Sequence, residues 1–142
     1  MTVEPVDPEA AGSLLRRLTS RDRRAVLAHA ANRPGAQIVA VRIGRRVAAV
    51  AATHPATDGP GRVLTHLDVA AAADAHLALL AVLAHTPDAP AAACTWRTHL
   101  PGPHPGLPAL LAAGHRITDI DIHMATPGAA LPAGNAYHPA LA

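Results

Sequence analysis

The stretch Arg62-Val-Leu-Thr-His-Leu-Asp-Val69, the alanine turn Ala70–Ala73, and then Asp74-Ala-His-Leu-Ala-Leu-Leu-Ala-Val-Leu-Ala-His85 decide how this chain is read. The first part reads as a buried strand, and the last as an apolar helix opened by Asp74. A strand that feeds a helix through a short turn leaves backbone N–H groups free at the helix start. That is a natural anion site. The functional question is whether Ala72, Ala73, Asp74, Ala75 and His76 receive a phosphate.

Upstream, Thr2–Val6 suits a short strand. Asp7-Pro8-Glu9 is a helix start, with Asp as cap, Pro at the first helical position and Glu in the first turn. Leu14, Leu15 and Leu18 give one apolar stripe. Thr19-Ser20 breaks the run, and Ser20 is expected to cap a second helix carrying Val26, Leu27 and Ala30. Asn32-Arg-Pro-Gly35 stops that helix. The apolar period then drops to two. Ala36–Ile43 is a strand, Gly44-Arg45 a tight turn of the glycine-first type, and Arg46–Thr53 the returning strand of a hairpin. His54–Gly61 is the loop into the Arg62 strand.

Downstream, Ala91–Thr98 reads as a fifth strand, and Leu100–Gly106 as a rigid proline loop. Leu107–Ala113 is a short helix closed by Gly114, and Ile117–Met124 alternates as a half-exposed strand. A Pro/Gly/Ala-rich tail spans 127–142, after one domain over 1–126. The order is strand, two helices, three strands, helix, strand, helix, strand. The hairpin demands antiparallel pairing and the later crossovers parallel pairing. The expected class is α/β, a mixed, mostly antiparallel sheet flanked by helices.

With 142 residues, half of them apolar, the chain can build one core, and it must do so without Phe and with one Trp and one Tyr. The net charge of +2 is small. All twelve cations are Arg; eight of them gather at 16–24 and 42–46, and these read as solvated faces. No aromatic residues alternate with them for base stacking, which argues against nucleic acid. No apolar run reaches the roughly eighteen residues of a membrane span. One Cys, Cys94, forms no internal disulfide, and a cytoplasmic location is expected. The ten His include no His-x-x-x-His pair and the single Cys no Cys-x-x-Cys, so no metal is expected.

The element order resembles the GCN5-related N-acetyltransferase (GNAT) superfamily. Leu14-Leu-Arg-Arg-Leu-Thr-Ser-Arg-Asp-Arg-Arg24 is similar to the leucine-rich first helix, short turn and basic second helix of bacterial members. Pro101–Met124 resembles their last helix, glycine turn and final strand, with His115 where an aromatic residue usually follows the glycine. The resemblance implies that the fourth and fifth strands splay. It also implies that acetyl-CoA or another acyl-CoA lies between them, held through the main chain of Leu67 and Val69. Its pyrophosphate would rest on the turn at Ala72–His76. His66 and Asp68, alternate residues on one strand face, would then take the proton of a small-molecule or peptide amine. The family turn usually carries Arg/Gln and Gly, and here both are replaced by alanine and Asp74, which would cap its own helix. The leaving-group tyrosine of many members corresponds to Leu110. Two functions follow from the resemblance. One is an acyl-CoA-dependent N-acyltransferase with a degenerate motif. The other is an inactive GNAT-like domain used for binding or assembly, as a homodimer or with a protein partner.

Overall fold

A computed structural model describes residues 1–70, 74–85, 95–100, 104–117 and the backbone of 136–137. Several expectations lie outside these residues: Ala72 and Ala73 of the turn, Cys94 with the first part of the fifth strand, the final strand over 118–124, and most of the tail.

The described elements, in chain order, are β1 (Thr2–Pro5), α1 (Pro8–Thr19), α2 (Arg24–Ala31), β2 (Gln37–Ile43), β3 (Arg46–Pro55), β4 (Arg62–Val69), α3 (Ala75–Ala84), β5 (Trp96–Thr98), α4 (Leu107–Ala112) and β6 (Ala136–Tyr137). The strands form one mixed sheet in the order β1-β2-β3-β4-β5, with β6 also on β4. Among the described residues, β4 and β5 pair in parallel; β1–β2, β2–β3, β3–β4 and β4–β6 are antiparallel. The expected α/β class with a mixed, mostly antiparallel sheet is the one observed.

Local chemistry accounts for most boundaries. The Asp7 carboxylate accepts from the N–H groups of Glu9 and Ala10 and starts α1. Ser20 departs from its expected role. It ends α1 in the left-handed region (φ 59°), its N–H donating to the Arg16 carbonyl. The N-cap of α2 is Arg23, which makes no side-chain cap; the Asp22 carboxylate just before it accepts from the Arg24 N–H. Gly44 takes φ 60° at the first central position of the β2–β3 turn, where a side chain would be strained.

The two sheet faces carry separate cores. Leu15, Leu27, Ala30, Ile38 and Val50 join α1 and α2 to one face. Val39, Val41, Leu67, Val69, Leu79, Val82 and Leu110 join α3 and α4 to the other. Because α3 is apolar all round, burying one side leaves Leu77 and Leu80 exposed on its outer side.

The register along β3–β4 decides which face each β4 side chain takes. Ala52 stands opposite His66 and Thr53 opposite Leu64, so Thr65 is an extra residue, a β-bulge. The Thr65 hydroxyl donates to the Ala52 carbonyl at 3.0 Å and holds the bulge in place. The inserted residue resets the alternation, so Leu64, Leu67 and Val69 all face α3.

Candidate functional site

Beyond the bulge, His66 and Asp68 are two residues apart and share the sheet face toward α1 and α2. His66 Nε2 lies 3.0 Å from Asp68 Oδ2, and both side chains are 0% exposed. Arg23, in the link between α1 and α2, brings its Nε to 3.8 Å from the same Oδ2. The three form an ionisable set, buried at His66 and Asp68 and partly exposed at Arg23, that ties the α1–α2 link to β4. Charged groups survive burial when paired, and each member here stabilises its neighbours. The pairing of His66 with Asp68 was legible from their spacing. Arg23 was not, because it lies more than forty residues away in sequence.

The other expected site residues separate. Leu67 and Ala75 are fully buried and Val69 nearly so, all within the core under α3. His76 is half-buried on α3. Leu110, which the resemblance set where many members carry a tyrosine, packs in the same core.

Asp74 requires a correction. It makes no side-chain cap, and its φ of −91° and ψ of −9° are already helical rather than the extended geometry a capping side chain needs. Its carboxylate instead accepts from Arg46 Nη2 at 2.7 Å, clipping the start of α3 to the start of β3. Asp74 therefore does not occupy the first N–H groups of α3.

The outer edge of β4 is shared. β5 pairs with the first three residues, Arg62–Leu64, and its pairing stops at the bulge. Past the bulge, β6 takes the edge: Tyr137 stands opposite His66 and Ala136 opposite Leu67. The strand edge on which the resemblance placed a pantetheine arm is laddered to a segment of this chain. Shallow grooves lie elsewhere. One of about 350 Å³ is bordered by Val6, Gln37, Ile38 and His85, away from His66 and Asp68. Among the described residues, no group of three His, Cys, Asp or Glu could hold a metal ion. No helix among them is long and apolar enough to cross a membrane. No family model, curated protein or solved structure matches the chain.

Proposed function

We propose that the chain is a GNAT-like domain that works as a binding or assembly module, with the β4 edge past the Thr65 bulge as its strand-accepting site. The pairing of β6 with His66 and Leu67 carries this reading. An extended segment is already laid on that edge, and main-chain pairing of this kind is how sheets capture peptides. A two-residue strand is a short occupant, so a longer extended segment from a partner can replace it. Burial of His66 and Asp68 agrees with a structural role for the pair, since an acceptor amine has no direct approach to either side chain.

The experiment uses the full chain and a variant carrying Ala136→Pro and Tyr137→Pro, which removes both amide donors of β6. A labelled peptide of the sequence Leu131-Pro-Ala-Gly-Asn-Ala-Tyr-His-Pro139 is followed by fluorescence anisotropy. The module reading expects the variant to bind the peptide at least tenfold more tightly than the unaltered chain. Equal, negligible binding by both proteins contradicts it.

The acyltransferase reading has one observation in its favour. The bulge at Thr65 and the early end of β4–β5 pairing are what a cofactor wedge between strands needs. On that reading β6 leaves the edge and acyl-CoA takes its place, with the Leu67 and Val69 main chain holding the arm. Amine-dependent release of CoA from acetyl-CoA, assayed with a panel of amines, is its test.

A further inference from the structure

At the other end of β4 a guanidinium is buried with no counter-charge among the described residues. Arg62 is 8% exposed. Its Nη2 donates to the Thr53 hydroxyl at 3.0 Å and to the Gly35 carbonyl at 3.4 Å, both neutral acceptors. Its Nε is buried with no hydrogen-bond partner among the described residues. No carboxylate among them is in ion-pair range of this side chain, although Glu4, Asp22, Asp58, Asp68 and Asp74 each pair with a different cation. A buried cation that meets only neutral dipoles is costly, and folded chains rarely keep one without an anion.

The neighbours of Arg62 are donors. The parallel register sets Arg62 beside Trp96 and Leu64 beside Thr98. Alternation puts all four on one sheet face, the face on which Trp96 packs against the α3 core. Trp96 Nε1 and Thr98 Oγ1 are also buried without a hydrogen-bond partner among the described residues. A charged N–H, an indole N–H and a hydroxyl on adjacent strands thus share one face, each lacking an acceptor among those residues. Across the sheet, Arg33 adds to the positive field. Its Nη1 donates to His54 Nε2 at 2.9 Å, and His54 Nδ1 faces the Pro55 carbonyl. A trapped water could accept one of these hydrogen bonds, but it would leave the guanidinium charge uncompensated.

We infer that Arg62, Trp96 and Thr98 form a binding site for a small oxyanion, a phosphate or carboxylate group held on the sheet face that β4 and β5 share. Nε of Arg62 supplies the charge-assisted bond, and the indole and hydroxyl fix the remaining oxygens. The three atoms are closed to bulk solvent, so the anion exchanges through local opening of this end of the sheet. The site is independent of the strand-accepting edge, which lies on the far side of the bulge.

Trp96 is the only tryptophan in the chain and therefore reports on its own site. Its emission is followed while sodium phosphate, and separately sodium acetate, replaces sodium chloride at constant ionic strength. The unaltered protein should give a saturable change with at least one of the two, and the more effective anion identifies the head group. Thr98→Val should weaken binding about fivefold and Arg62→Lys about tenfold, the loss expected for one hydrogen bond and one charge-assisted bond. Arg97→Met, on the opposite sheet face, should bind as the unaltered protein does. Absence of any saturable change overturns the inference, as does a change that chloride reproduces. So does a saturable change that Thr98→Val leaves intact, a result that decides the matter even where Arg62→Lys fails to fold.

Discussion

At the residue scale, the charges of this chain differ in how far they are shielded from water. Asp68 stands between Arg23 and His66 with its own side chain fully buried, so removing it takes the carboxylate away from both. Asp68→Ala should lower stability by about 3–5 kcal/mol in chemical denaturation, well beyond a surface substitution. A loss under about 1 kcal/mol would show that the set is not coupled. Asp22 is the opposite case. It is exposed, and its hydrogen bond from the Arg24 side chain pulls its pKa from 3.8 down to about 2. The folded value lies below the unfolded one, so this stabilisation is complete above pH 3.8 and disappears as pH falls through about 2. A carboxyl carbon NMR titration should place the Asp22 midpoint near 2, and Arg24→Ala should return it toward 3.8. The sequence displayed the His66–Asp68 pair because both lie on one strand. It misassigned Asp74, since an Asp before an apolar helix signals a cap unless a distant cation claims it, and Arg46 does so from another strand.

At the element scale, β4 is the organising strand, and its bulge divides the edge into two parts. Before Thr65 the strand pairs with β5, and after it with β6. Thr65→Val keeps the shape of the side chain but removes the hydroxyl bond to Ala52, and should destabilise by about 1 kcal/mol. A stability equal to that of the unaltered chain would mean that the bulge is held by backbone alone. The first helix is equally specific. Asp7→Ala removes the acceptor for two N–H groups and should cost about 1 kcal/mol. Strand and helix limits from β1 to α3, the start of α2 excepted, were legible because period, proline and glycine punctuate this sequence clearly. The bulge was less legible: its one mark is that Leu64 and Leu67, which face the same core, stand three residues apart where a regular strand would need two. The β4–β6 pairing was invisible for a different reason: a two-residue strand has no periodicity at all.

At the scale of the whole molecule, a two-faced core places one sheet edge in contact with a segment from far along the chain. The GNAT resemblance pointed to that same edge as the seat of a cofactor, and the cofactor it implies would compete with β6 at Leu67. The deciding measurement is therefore a thermal-shift titration of the full chain with acetyl-CoA, beside the variant carrying Ala136→Pro and Tyr137→Pro. A ligand at about 100 times its dissociation constant would add roughly 2.7 kcal/mol, a shift of several degrees for a domain of this size. The module reading predicts no saturable shift for the unaltered chain up to millimolar acetyl-CoA. A saturable shift in the unaltered chain, with its β6 intact, would contradict it and return the domain to the acyltransferases.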